Sequence, residues 1–482
     1  MTPIRRQAPL SNLRWHGAGR GFSIVELMVA MTISLFLMLG LVSLFVNTSR
    51  SGRELAKTNV MIDGGRAASQ ILQNDIQHAA FWGGYVPQFD DFTSTSVPAD
   101  VPTDPLPSPC QAYSTWDSNY VRSVVALPVL AYEVLPTGTG CVALPSTYPQ
   151  HANTDVIIIR HLEVCVPGAP NCDADTPGSL YFQTSFCAAE QSAGSAQGGS
   201  STSITLSSGA SSTTGAYVGV MLHTLSGTGS GQFRQISAYD GSTHVATVST
   251  AWTVVPDTST TYALAYELGT SSFPLHKRDC VGTGTPATLP ITAGTISDKH
   301  KFLSDLYYIA DYPNPDYPAQ LVPTLMRSRF DLSGGTLAHQ TPVPLIDGVE
   351  GFKVVLGIDN VSKSGAAVDY TQAINWQDPT NLVLPTNRGD GAPDQYIRCT
   401  GAGGCTAAQL INVVAVKLYI LVRDRDTTPG YTDTKTYCLG EPNADGTCPA
   451  ASQYTPGDNY KRHLFITTIR VNNVSQRRET PS

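Results

Sequence analysis

FSIVELMVAMTISLFLMLGLVSLFV, Phe22 to Val46, is a run of apolar and small residues with one ionisable side chain, Glu26. At about 1.5 Å per residue a helix of this length reaches past the roughly 30 Å hydrocarbon core of a bilayer. The segment is therefore expected to span a membrane. A carboxylate at bilayer depth costs on the order of 2.5–3.5 kcal/mol on insertion scales, so Glu26 calls for a functional explanation with a named partner.

Residues 1–21 form a short leader with Arg5, Arg6, Arg14 and Arg20 and no acidic residue. An excess of arginine before the first apolar segment keeps that end in the cytoplasm, which gives an N-in, C-out orientation and exports everything after Val46. A cleaved secretory signal has an apolar core of about 7–15 residues and a small-residue A-x-A site. The run here is longer, and no such site follows it.

The sequence Gly21-Phe22-Ser23-Ile24-Val25-Glu26 resembles the processing site of type IV prepilins. The resemblance implies that a prepilin peptidase cuts between Gly21 and Phe22 and methylates the new amine of Phe22. It also implies that Glu26, the fifth mature residue, meets the Phe22 amine of a neighbouring subunit. Such a pair makes physical sense, because a lone charge in an apolar bundle is costly and an opposite charge within hydrogen-bond reach offsets it and selects register. The run lacks the proline that most major pilins carry there, which points away from a major-pilin role.

Ten cysteines all follow the apolar run, and an even number in an exported domain reads as disulfides. A sequential pairing is preferred among the possibilities: Cys110 with Cys141, Cys165 with Cys172, Cys187 with Cys280, Cys399 with Cys405, and Cys438 with Cys448. The net charge of −8, with four of the arginines in the leader, leaves no basic surplus for nucleic acid or anionic lipid. Abundant Gly, Pro, Ser and Thr with 14% charged residues suit a loop-rich, β-rich extracytoplasmic protein.

Residues 47–84 are expected to continue the helix as an amphipathic half. Met61, Ala68, Leu72, Ile76 and Ala79 fall on one stripe, with Arg53, Lys57, Arg66, Gln70 and Asn74 off it, and Gly64-Gly65 is a potential bend. The segment Asp63 to Gly84 is similar to the PilW-type minor pilins, in which Asp-Gly-Arg leads through a helix to an Asp and an aromatic-Gly terminus. Residues 85–120 read as loop. Strands are expected at Ser123–Val134, Asp155–Val164, Ser179–Phe186, Phe302–Ala310, Thr324–Phe330, Gly351–Ile358, Ile411–Val422 and Leu464–Val471. LYYIADYP, LMRSRFDL, PLIDGVEGFKVVLGID, VVAVKLYILVRD and YKRHLFITTIRVNN again resemble the PilW pattern.

Residues 190–267 begin with a Ser/Gly/Thr tract, a linker by composition, and continue as β-hairpins around an Asp240-Gly241 turn, with Trp252 expected in their core. They read as an inserted β module, resembling one met in phage tail and bacterial surface proteins, that Cys187 and Cys280 would staple. It divides the pilin head into 85–189 and 268–482. No H-E-x-x-H, G-x-S-x-G or P-loop lysine is present, Arg388-Gly389-Asp390 reads as a Gly-rich turn, and Asn171, Asp173 and Asp175 lack EF-hand spacing.

The expected fold is α+β: a pilin-like long N-terminal helix on an antiparallel sheet, with an inserted all-β module. No catalytic residue, cofactor or metal site is expected. The resemblance implies a minor pilin that helps prime type IV pilus assembly at or near the filament tip. Its implied partners are other minor pilins, the major pilin, the prepilin peptidase and a PilY-type tip adhesin; it sits in the inner membrane before assembly and in the extracellular pilus after it. Two alternatives stand beside this: a GspJ-like pseudopilin of type II secretion, and a membrane-anchored periplasmic enzyme.

Overall fold

Helix α1 spans Ile24–His78 without a break in the computed structural model. The structure describes residues 23–92, 96–144, 148–184, 194–271, 273–275, 296–314, 319–401 and 404–479. The chain divides into two units, residues 1–57 and residues 58–482.

In the first unit every side chain from Ile24 to Val46 is exposed, and no charged group follows Glu26 until Arg50. Thr32 donates its hydroxyl to the Val29 carbonyl at 2.9 Å and, just past this stretch, Thr48 donates to that of Leu44 at 2.8 Å.

The second unit is built on the remainder of α1. Met61, Gly65, Ala68, Leu72 and Ile76 are buried at helical spacing, whereas Arg66, Gln70 and Asn74 are exposed. Gly64-Gly65 does not interrupt the helix. Gly65 instead admits a close neighbour, since a Cβ there would lie 2.0 Å from Cε2 of Phe465.

Residues 85–120 include short 3-10 turns at Gln88–Asp90 and Tyr113–Thr115, and the chain then forms helix α2, Ser118–Ala126, where a strand is expected from Ser123. Two local features favour helix: the Asp117 side chain accepts from Tyr120 N–H at 2.8 Å as N-cap, and Val121, Val124 and Val125 are buried at i, i+3, i+4. Pro128 ends it, and only Val129–Tyr132 forms strand β1, followed by β2, Val156–Leu162, and β3, Tyr181–Thr184.

The Ser/Gly/Thr tract is not a linker. Its residues form β4 (Gly194–Ser195), β5 (Gly198–Ser200) and β6 (Ser203–Thr205), because small side chains allow close backbone approach; a Cβ on Gly199 would sit 2.6 Å from the Pro256 carbonyl oxygen. Then follow β7 (Val220–Ser226), β8 (Phe233–Asp240), β9 (Val245–Val248) and β10 (Thr261–Gly269). The β8–β9 turn is held by the Asp240 carboxylate, which accepts from Ser242 and Thr243. Strand β11, Lys299–Pro313, pairs with both β2 and β3, and β3 pairs with β10. One sheet thus runs β1-β2-β11-β3-β10-β7-β8-β9-β6-β5, with β12 (Leu321–Ser333) on β11 and β13 (Thr336–His339) and β14 (Val343–Asp347) on β12.

Alternation along β7, and along β10 a register shift between Leu264 and Tyr266, decide what each face covers. Val220, Leu222, Tyr262 and Leu264 join Trp252 and Ile204 in one core, while Met221, Tyr266 and Leu268 join Trp82, Phe182 and Phe302 in another. The hairpins therefore share a core with the end of the α1 region rather than standing apart.

A second antiparallel sheet runs β18-β15-β19-β22, with β15 at Val349–Ile358, β16 at Trp376–Asp378, β17 at Val383–Pro385, β18 at Gln395–Ile397, β19 at Val413–Arg423, β20 at Tyr437–Cys438, β21 at Gln453–Tyr454 and β22 at Arg462–Arg470. Phe352, Val354, Leu356, Val416, Leu418 and Ile420 point to the core that holds Leu72 and Ile76. Val355, Tyr419 and Leu421 point the other way, under Tyr437 and Leu439 of the β20–β21 region. Both faces are covered, which explains the nearly unbroken apolar runs of these strands. Disulfides join Cys110–Cys141, Cys165–Cys172, Cys399–Cys405 and Cys438–Cys448; Cys187 and Cys280 lie outside the described residues.

Candidate assembly site

Glu26 sits in the first turn of α1, and its Oε2 accepts the Ser23 N–H at 3.0 Å while the Ser23 Oγ accepts the Glu26 N–H at 3.2 Å. This reciprocal pair is a capping box, and it satisfies two of the donors that a helix start leaves open. Its S-x-x-E signature, Ser23 to Glu26, is a signal in the sequence that the processing-site resemblance overshadows. The carboxylate is exposed, and an ionised carboxylate offers about four lone-pair sites, so the cap leaves capacity for a second cation. Gly21 and Phe22 lie outside the described residues.

Among the described residues, four ion-pair groups of the head include a carboxylate or guanidinium that is nearly or fully buried. In the first, Arg462, whose side chain is fully buried, donates to Glu350 at 2.6 and 3.1 Å and to Asp458 at 2.5 and 2.7 Å, and lies 3.4 Å from Asp433. Its hydrogen bonds to these carboxylates raise the guanidinium pKa despite burial, and they lower that of Asp458. In the second, Arg478 joins Asp90, Asp359, the Asn412 side chain and the Ile411 carbonyl. In the third, Asp155 receives Arg398 at 2.6 and 2.9 Å and Lys353 at 3.1 Å. In the fourth, Arg329 forks onto Asp305 at 2.7 and 2.8 Å.

These contacts explain residues that stand out in the sequence. Glu350 of the I-D-G-V-E stretch meets Arg462, which opens the last strand, and Asp359 of the following Gly-x-Asp accepts N–H bonds from Asp390 and Gly391. Asp75, at the end of the amphipathic helix, accepts the hydroxyl of Tyr307 on the tyrosine-rich strand β11. Burial and the Asp75 charge push the Tyr307 pKa up. Trp82 stacks on Phe302 with ring centroids 6.0 Å apart.

Other candidates prove structural. Arg388 is buried and donates to the carbonyls of Asp369, Gln372 and Asn387, so the Arg-Gly-Asp tripeptide is not presented for recognition. Asp175 pairs with Lys299 at 2.8 Å, and among the described residues no group of three or more His, Cys, Asp or Glu side chains is arranged to hold a metal. Trp252 is buried and donates its indole N–H to the Ser203 carbonyl at 3.1 Å.

Residues 306–473 match the family described as type IV pilus-assembly protein W, and residues 18–42 match the prokaryotic N-terminal methylation motif. The chain carries a PilW-type domain. That domain begins in β11 next to Tyr307 and ends just past β22, so it contains Glu350, Asp359 and Arg462. The methylation motif contains Glu26. The type IV-like pilin TTHA1219 from Thermus thermophilus is a similar solved structure at 15% identity, covering 36% of this chain and 70% of that one with a TM-score of 0.18. No curated protein matches the chain. Over these two stretches the chain is similar to type IV pilus-assembly proteins and to N-terminally methylated pilins.

Proposed function

We propose that this chain is a minor pilin that primes type IV pilus assembly at or near the filament tip. The observation that carries the reading is the Ser23–Glu26 capping box at the start of an exposed, predominantly apolar helical run inside the methylation motif. Prepilin peptidase cuts between Gly21 and Phe22 and methylates Phe22. The residual lone pairs of Glu26 then receive the Phe22 amine of an adjacent subunit, where the apolar surround makes an unpaired charge costly.

Before assembly the helix anchors the protein in the inner membrane with the head in the periplasm, and after assembly it lies in the extracellular pilus. The head comprises residues 85–189 and 268–482, with 190–267 as an insertion. Partners are the major pilin, other minor pilins and a PilY-type adhesin.

N-terminal sequencing and mass spectrometry of native protein from sheared fibres test the reading. A methylated Phe22 start is expected; a chain that begins at Met1 and never co-purifies with fibres rejects it. Gene deletion supplies a second arm: loss of pili and twitching is expected, whereas loss of exoenzyme secretion alone points to a type II pseudopilin.

A further inference from the structure

Arg160, on β2, is 5% exposed, and among the described residues its side chain makes a single hydrogen bond, from Nη1 to the Leu127 carbonyl at 3.2 Å. Among the described residues no carboxylate pairs with it. The other buried arginines show how unusual this is: Arg462 and Arg478 meet carboxylates, and Arg388 meets three carbonyls and the face of Tyr370 at 5.0 Å. A buried guanidinium with one carbonyl and no carboxylate carries a desolvation cost that its partner only partly offsets.

The surroundings supply the missing partner's outline. Arg160 borders two small cavities of about 10 Å³, each with room for about one water-sized sphere. The first is lined by Tyr120, Ser123 and Tyr132 with Leu106, Pro107 and Leu130 among its apolar walls. Tyr120 and Tyr132 each carry one hydroxyl proton that can be donated. The second cavity is lined by Ser304 and His339, whose Nδ1 is buried without a partner. Burial holds His339 down to about 4, so it adds no charge at neutral pH.

We propose that the first cavity binds one monatomic anion, chloride in ordinary saline, held by the Arg160 guanidinium and the hydroxyls of Tyr120 and Tyr132. The set consists of a cation and hydroxyl donors around a space that excludes polyatomic anions. The ion ties the C-terminal end of α2, through Leu127 and Arg160, to β1 and β2.

The full-length protein in a neutral detergent tests this. Thermal midpoints are compared in sodium chloride and sodium gluconate at equal ionic strength, and crystals grown in bromide are examined for anomalous scattering. A saturable rise of several degrees in chloride and an anomalous peak beside Arg160 are expected. Equal midpoints, or a water without anomalous signal, overturn the site. Arg160→Gln is expected to abolish the difference between the salts, and its persistence overturns the proposal. Should that variant not fold, Tyr132→Phe is expected to raise the half-saturating chloride concentration several-fold; an unchanged value overturns the site, as would the failure of the wild-type comparison.

Discussion

Tyr307 donates its hydroxyl to the carboxylate of Asp75, joining β11 to α1 across 232 residues of chain. The tyrosine side chain is otherwise walled by the core that contains Leu72 and Ile76, so the contact fixes how that part of the helix lies on the sheet. Tyr307→Phe is expected to cost about 2 kcal/mol, the range for a hydrogen bond to a charged group. Thermal or urea unfolding of the full-length protein in detergent measures it, and an unchanged midpoint refutes the assigned role.

Adjacent glycines should respond with opposite sign. Gly65→Ala places a methyl 2.0 Å from Phe465 and is expected to destabilise by about 1–3 kcal/mol through overpacking. Gly64→Ala meets only Ile346 Cγ2 at 3.5 Å and is expected to stabilise by roughly 0.5–1 kcal/mol through helix propensity. Phe465→Leu should recover part of the Gly65→Ala loss. Equal midpoints for the two alanine variants would contradict this packing.

Glu350→Gln leaves the fully buried Arg462 with one carboxylate fewer. Breaking one partner of a buried pair costs about 3–5 kcal/mol, and Asp458 and Asp433 keep the expected loss near the lower end. Trypsin susceptibility of the folded head, followed over time, should rise in parallel with the drop in midpoint.

Burial raises Glu267 to about 9, and its Oε2 has no partner. A carboxyl held protonated in the fold but ionised in the unfolded chain stabilises fully below its unfolded value and loses that contribution as pH rises through the folded value. Asp100, raised to about 7 by burial, is half titrated at pH 7 and mostly ionised by pH 8, which leaves Glu267 to dominate between pH 8 and 9. Stability should fall across that window with a slope of up to about 1.4 kcal/mol per pH unit, the value for one proton. Glu267→Gln should flatten it; chemical denaturation at pH 7, 8 and 9 decides.

Glu26→Ala should insert and be cleaved yet enter filaments poorly, since removal of the carboxylate leaves a neighbour's amine uncompensated in an apolar bundle. Immunoblots of sheared fibres against whole cells give the incorporation ratio. Equal incorporation of mutant and wild type would refute the pairing.

Much was legible from the amino acids alone. The length and apolarity of Ile24–Val46, the helical spacing of Met61, Ala68, Leu72 and Ile76, and the β-branched runs at β2, β11, β15 and β19 each report a local period that a single element must satisfy. The even set of cysteines likewise signalled crosslinks, four of which the structure contains. Sequence periodicity works here because one face of each element has to leave water.

What the tertiary structure alone decided lies between elements. Residues Ser123–Ala126 are β-branched enough to read as strand, yet the Asp117 cap and the core beneath α2 make them helical. The Ser/Gly/Thr tract reads as linker until its strands close against Pro256 and pair within the sheet. Gly65 looks like a bend and is a seat for Phe465. The pairing of Glu350 with Arg462, and of Asp75 with Tyr307, joins residues more than a hundred positions apart. No local pattern encodes such a choice, because charge and hydrogen-bond partners are selected by the fold's three-dimensional packing and not by spacing along the chain.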